Sequence, residues 1–169
     1  PSGVSWGNSP SRQCYNFYMK IFIASDHAGF ELKGFLVEML SLASYDIKDF
    51  GPKGYDPEDD YPDFVSLVAK EVSRNPSGAR GIVIGASGQG EAMCTNKFYG
   101  IRAAVYYGSN MDIVKLSREH NDANVLSLGA RFLSHPDALN AVTLWLTTDF
   151  SGEEKHKRRN QKLFNVTSK

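Results

Sequence analysis

Residues 85–91 (GASGQGE) place a glycine-rich loop directly before an acidic side chain. They follow a short apolar run, residues 81–84 (GIVI), that predicts a buried strand. Glycine lets backbone N–H groups approach an anion closely, and a helix that follows reinforces their positive end. A carboxylate beside such donors can take a proton from a carbon next to a carbonyl while the amides hold the enediolate oxygen. The spacing therefore favours Glu91 as a general base.

The same loop argues against three other kinds of site. Gln89 stands where a nucleophile elbow requires glycine. The glycines do not follow the dinucleotide-binding order, and Glu91 replaces the lysine of a phosphate-binding P-loop. A carboxylate there would repel a nucleotide phosphate. On spacing alone one alternative stays open, in which Glu91 only occupies the first turn of a helix, where acidic side chains are favoured.

Strands and helices alternate along the chain from Met19 onward. The predicted strands cover residues 20–24, 46–50, 81–84, 101–105 and 124–128, with helical spacing of apolar residues between them. Such alternation favours right-handed βαβ crossovers. We predict a single α/β domain with a doubly wound, mostly parallel Rossmann-like sheet and helices on both faces. Ligands of such sheets bind beyond the carboxyl ends of the strands, where Asp26 and the glycine loop lie.

The overall composition limits the classes of function. Lys plus Arg number 19 and Asp plus Glu number 19, so no basic excess indicates nucleic-acid binding. The two cysteines, Cys14 and Cys94, are too few for a disulfide framework or a cysteine-based zinc site. The chain has no apolar run of membrane-spanning length and no secretory signal pattern at its start, so a cytoplasmic location is expected.

The two ends of the chain differ from its centre. Residues 1–18 are rich in Ser, Gly, Asn and Pro without a period, which predicts an irregular extension before a domain at residues 19–169. Near the other end, Ser151 and Glu154 have the spacing of a capping box that opens a last helix. Basic residues on that helix form either a solvated face or an anion-binding face.

Several ordered motifs together resemble the type B ribose-5-phosphate isomerases and the related galactose-6-phosphate isomerase subunits. The motifs are residues 25–30 (SDHAGF), 60–62 (DYP), 85–91 (GASGQGE), 96–102 (NKFYGIR) and 117–126 (SREHNDANVL). The resemblance runs from about Met19 to Arg159. It implies interconversion of ribose 5-phosphate and ribulose 5-phosphate without metal or organic cofactor. It also implies homodimers, sometimes paired into tetramers, whose active sites are built from both subunits.

The resemblance also implies roles for individual residues. For catalysis it implies Asp26 and His120 in opening of the sugar ring, a hydroxyl contact from Ser87, and an anion hole from the backbone of Gly88, Gln89 and Gly90. For substrate binding it implies Tyr61 as a wall, Asn121 as a ligand of a sugar hydroxyl, and His27, Arg131, Lys155 and Arg159 as phosphate binders. Lys155 and Arg159 lie four residues apart and therefore share one helix face.

Two departures from the family pattern bear on mechanism. Ala86 stands where many members place a catalytic cysteine, and Glu91 falls where a second branch places its base. Lys155 replaces the usual arginine and loses its bidentate fork. Isomerisation of another sugar phosphate (allose 6-, galactose 6- or erythrulose 4-phosphate) remains an alternative. So does a sugar-phosphate-binding module without catalysis.

Overall fold

A computed structural model describes residues 19–166, so the predicted extension at residues 1–18 lies outside the described residues. The strands are β1 (Lys20–Ser25), β2 (Asp46–Asp49), β3 (Ala79–Gly85), β4 (Ala103–Tyr106) and β5 (Val125–Gly129). The helices are α1 (Phe30–Leu42), α2 (Tyr61–Arg74), α3 (Gln89–Thr95), α4 (Met111–Glu119), α5 (His135–Thr147) and α6 (Glu154–Val166). No helix in this part of the chain has the length and apolar character needed to span a membrane.

The strands form one parallel sheet in the order β2-β1-β3-β5-β4. Alternate residues of a strand face opposite sides of the sheet. Ile21 and Ile23 of β1 therefore join a core beneath α1, α4 and α5, which includes the fully buried Trp145. Phe22 and Ala24 join a second core beneath α2. The predicted α/β fold with helices on both faces is confirmed.

The start of α6 differs in detail from the prediction. The helix begins at Glu154, two residues later than a capping box at Ser151 would start it. The Ser151 hydroxyl accepts a hydrogen bond from the Glu153 amide, at 3.4 Å, and the Glu153 carbonyl accepts the amides of His156 and Lys157. Glu153 therefore occupies the capping position, and the predicted capping box between Ser151 and Glu154 is wrong.

The strand order creates one crevice at the carboxyl ends of the strands. From β1 the chain passes to β2 on one side, and β3 then pairs with β1 on the other side. Connections that leave neighbouring strands in opposite directions open a ligand-binding crevice between them. Asp26 follows β1 and the glycine loop follows β3, so both lie at this crevice.

Candidate active site

Glu91 lies in the first turn of α3 with only 4% of its surface exposed. Its carboxyl group packs against Gly85, where an added Cβ atom would overlap the Glu91 side chain. Burial raises the pKa of Glu91, its own backbone amide opposes the rise, and the negative charge of Asp26 adds to it. A higher pKa makes this carboxylate a stronger base near neutral pH.

The glycine loop adopts a conformation that other residues would not tolerate. Gly88 has φ 76°, and a Cβ there would lie 3.0 Å from the backbone of β5. The Ser127 hydroxyl donates a hydrogen bond to the Gly88 carbonyl at 2.5 Å. A Cβ on Gly90 would lie 2.8 Å from the Tyr61 ring. The loop is thus fixed from both sides, and Tyr61 forms one wall beside it.

Asp26 and His27 stand at the same end of the sheet. Asp26 is 8% exposed and accepts the Gly29 amide at 3.2 Å, which caps a short 3₁₀ turn. The His27 ring is hydrogen-bonded to Asp59, with 2.7 Å between Nδ1 and Oδ1. This hydrogen bond is the main cause that raises the pKa of His27; burial opposes it.

Arg131 follows β5 and lies beside the glycine loop. Its amide donates to the carbonyl of Ala86 at 3.1 Å, and its side chain is exposed. The half-buried Ser87 completes this end, where its hydroxyl accepts the Gln89 amide at 3.4 Å. The structure therefore brings together the following predicted site residues: Asp26, His27, Tyr61, Ser87, Gly88, Gln89, Gly90, Glu91 and Arg131.

His120 and Asn121 lie at the opposite end of the sheet. The Asn121 carbonyl accepts a hydrogen bond from Arg102, the residue before β4, at 2.9 Å. This is the amino end of β4 and β5, whereas the glycine loop lies at the carboxyl end of β3. A five-residue strand rises by about 13 Å between its ends. Within one chain His120 and Asn121 therefore do not meet Glu91.

The last helix lies against this second end. Asn160 of α6 donates to the His120 carbonyl at 3.3 Å, and the His156 ring stacks on the His120 ring with 4.1 Å between centroids. His156 is 4% exposed, and burial, followed by the charge of His120, lowers its pKa. Lys155 and Arg159 on the same helix are exposed, and Lys155 pairs with Glu153 at 2.8 Å. Neither spacing nor motif indicated that the His156 ring stacks on His120.

Two ion pairs to Asp122, which no sequence motif indicated, shape the turn after His120. Asp122 has φ 47°, in the left-handed region. Its two carboxylate oxygens accept Arg102 at 2.7 Å and Arg118 at 2.8 Å. These ion pairs hold the backbone that presents His120 and Asn121.

A groove of about 590 Å³ borders the second end, lined mainly by residues 96–104 and by Asn121, Leu163 and Phe164. Tyr99 and Leu163 in this lining are more than half exposed.

Over residues 19–166 no group of three or more His, Cys, Asp or Glu side chains is placed to hold a metal ion. The backbone amides of the glycine loop and the exposed cationic side chains of Arg131, Lys155 and Arg159 suit an organic anion.

Comparisons with known proteins show the family to which this chain belongs. The chain matches the model of the Ribose/Galactose Isomerase family over residues 21–163. It is 36% identical over 141 residues to ribose-5-phosphate isomerase B of Mycobacterium leprae, covering 83% of this chain and 85% of that protein. The crystal structure of ribose-5-phosphate isomerase B from Mycoplasma genitalium, with bound ribulose-5-phosphate, superposes with a TM-score of 0.85 at 37% identity, covering 89% of this chain and 97% of that chain. The Clostridium thermocellum ribose-5-phosphate isomerase B structure gives a TM-score of 0.82 at 41% identity, covering 89% and 98%. This chain therefore belongs to the ribose/galactose isomerase family.

Proposed function

We propose that this protein is an aldose–ketose isomerase that interconverts ribose 5-phosphate and ribulose 5-phosphate, with Glu91 as the general base. The observation that carries the proposal is the buried Glu91 carboxyl group, packed on Gly85 beside the glycine loop. Family membership supports the reaction class. The Mycoplasma genitalium relative, solved with ribulose-5-phosphate, supports a five-carbon substrate.

In the proposed reaction Glu91 removes the proton from C-2 of the open-chain aldose and returns it to C-1. The hydroxyl proton on O-2 passes to O-1, so that C-2 becomes the carbonyl of the ketose. The C-1 oxygen gains negative charge as the enediolate forms, and the amides of residues 88–90 hold it. These amides are suited to the task because the first amides of a helix have no partner within it. A positioned base typically raises the reaction rate about 10²–10⁴-fold, and one such amide donor raises it about 10²–10³-fold. Ser87 contacts a sugar hydroxyl in this scheme, and Tyr61 encloses the substrate.

We further propose that two copies of the chain form a homodimer with shared sites. The two groups of candidate residues lie at opposite ends of one chain, so a complete site needs the glycine loop of one copy and the α4–α6 end of another. Asp26 and His120, the proposed ring-opening pair, would meet only in such an assembly, with Asn121 binding a sugar hydroxyl. Cys94 is a free thiol, which fits the reducing cytoplasm that we propose as the location.

If α6 binds the substrate phosphate, removing a basic side chain from this helix should weaken substrate binding. Arg159→Ala removes one charge-assisted hydrogen bond, worth about 1.5–3 kcal/mol, and should raise KM about 10- to 100-fold. We expect kcat to change by less than about threefold, because the contact is equal in ground state and transition state. Steady-state kinetics with ribose 5-phosphate measure both constants. Arg158→Ala, on the neighbouring exposed position, is the matched control. A normal KM in Arg159→Ala would remove this residue from the phosphate site.

The proposed function is tested by isomerase assays on four-, five- and six-carbon sugar phosphates, with and without EDTA. We expect the highest kcat/KM on ribose 5-phosphate, unchanged by the chelator. Preference for allose 6-, galactose 6- or erythrulose 4-phosphate would retain the mechanism and change the substrate. Binding without turnover on any of them would overturn the assignment and favour a non-catalytic sugar-phosphate-binding module.

A further inference from the structure

The loop between β2 and α2 contributes Asp59, whose carboxylate is bonded twice to the same residue. Its Oδ1 atom accepts the His27 backbone amide at 2.9 Å and contacts the His27 ring nitrogen Nδ1 at 2.7 Å. The Asp59 side chain is 7% exposed, whereas the His27 side chain is 30% exposed. The carboxylate therefore lies behind the imidazole, and the imidazole is the outer member of the pair.

The pair is also an electrostatic unit. The second oxygen of Asp59, Oδ2, is buried and has no hydrogen-bond partner among the described residues. Burying a carboxylate costs free energy unless a cation compensates its charge. In the structure Asp59 forms an ion pair with His27. This dependence favours the protonated, cationic form of the His27 ring.

The other groups around His27 act in the same direction or are neutral. Asp26, at the end of β1, adds a second negative charge that also raises the pKa of His27. The Tyr55 ring, from the same loop as Asp59, packs edge-on against the imidazole at 6.3 Å and in turn contacts Phe30 of α1. Burial opposes the rise but does not cancel it, so the pKa of His27 stays above its ordinary value of 6.5.

A cationic His27 matters because of the charge of the substrate. The second pKa of a phosphate monoester is about 6, and an unperturbed histidine titrates at about 6.5. An ordinary histidine would thus lose its charge soon after the phosphate gains its second one. Because the pKa of His27 is raised, its ring stays cationic above the ordinary histidine pKa. It loses this charge only as the pH rises through the raised pKa.

We propose that Asp59 is a positioning residue, which orients the His27 imidazole and keeps it cationic so that its outer edge binds the phosphate dianion of the substrate. This inference rests on the proposed function. It adds to it a residue that does not touch the sugar phosphate and acts through His27.

The first test is the pH dependence of KM in Asp59→Asn, which removes the charge but keeps an oxygen acceptor. At pH 8 we expect KM for ribose 5-phosphate to rise on the order of tenfold, with kcat within about twofold. At pH 6, below the ordinary pKa of histidine, His27 should be largely protonated in both proteins, so the difference should fall below about threefold. Asp56→Asn is the matched control, since Asp56 is exposed in the same loop and its carboxylate accepts the Glu58 amide.

A second measurement does not depend on turnover. Titration of the His27 ring protons by NMR, assigned through their loss in His27→Gln, should give a midpoint that moves to lower pH in Asp59→Asn and stays in place in Asp56→Asn. An unchanged midpoint in Asp59→Asn overturns the inference, as does an unchanged KM at pH 8 or a loss confined to kcat. Absence of isomerase activity in the wild-type protein would instead overturn the proposed function, and the NMR titration separates the two failures.

Discussion

Glu91→Gln should lower kcat for ribose 5-phosphate by about 10²–10⁴-fold and leave KM within a few-fold. Glutamine has nearly the same shape as glutamate, so it fits beside Gly85 and preserves the binding contacts. It cannot accept a proton from carbon, so only the chemical step is lost. Initial-rate kinetics on the purified variant measure both constants, and thermal unfolding checks the fold.

The pH profile of the wild-type protein bears on the same assignment. The base must be deprotonated, so kcat/KM should fall as the pH falls through the pKa of Glu91. Because burial raises that pKa, the acid limb should lie above the range of an ordinary glutamate. An acid limb at the ordinary glutamate value would contradict a buried base.

The control for Glu91→Gln is Cys94→Ser, one turn later on α3. Burial and the charge of Glu91 raise the pKa of the Cys94 thiol, so it stays protonated and unreactive at neutral pH. We expect activity within about twofold of the wild type, since no proposed step uses this thiol. Severe loss of activity in a well-folded Cys94→Ser variant, or normal turnover in Glu91→Gln, would mean that the base is another group.

The second large effect is expected for Gly85→Ala. An added Cβ at this position would overlap the carboxyl group of Glu91. The overlapping atoms are the end of a flexible side chain, so the protein should fold while the base is displaced. A misplacement of about 1 Å at a reacting group can cost about 10²-fold, and we expect kcat to fall by at least that factor.

Gly34→Ala is the matched control for this substitution. Gly34 lies in α1, and a Cβ there would meet no other atom within 4 Å. This control should keep wild-type activity and gain about 0.5–1 kcal/mol in unfolding free energy, because alanine is the better helix former. If Gly85→Ala were as active as Gly34→Ala, the observed position of the Glu91 carboxyl group would have no catalytic importance.

The fold could be predicted from local patterns because four of the five strands are short, mainly apolar runs that end in a turn, the exception being the edge strand β2. The predicted strand boundaries were less accurate where a side chain, and not a neighbouring strand, accepts the backbone hydrogen bond. The strand predicted at residues 101–105 is observed at Ala103–Tyr106. The Asn124 side chain accepts the Arg102 amide at 2.9 Å, so Arg102 belongs to the turn before the strand. Such a contact across 22 positions leaves no periodic signal in the sequence.

The candidate site was predicted only in part. The spacing of the glycine loop and Glu91 indicated a base beside amide donors, but the packing of Glu91 on Gly85 depends on three-dimensional contact. The Asp59–His27 pair spans 32 positions and was not predicted. The separation of the two groups of site residues at opposite ends of the sheet was indicated by the sequence, because Glu91 follows a predicted strand whereas His120 precedes one.

Whether a working site needs two copies can be measured with mixed dimers. Glu91→Gln and His120→Ala chains, each with a different affinity tag, are co-expressed and the mixed species is purified through both tags. Each variant alone should be inactive. In the mixed dimer one site would combine an intact Glu91 with an intact His120, so our account predicts about half of the wild-type kcat per dimer, one of two sites being complete. A mixed dimer as inactive as its parents would show that each chain carries its own complete site, and would contradict the account.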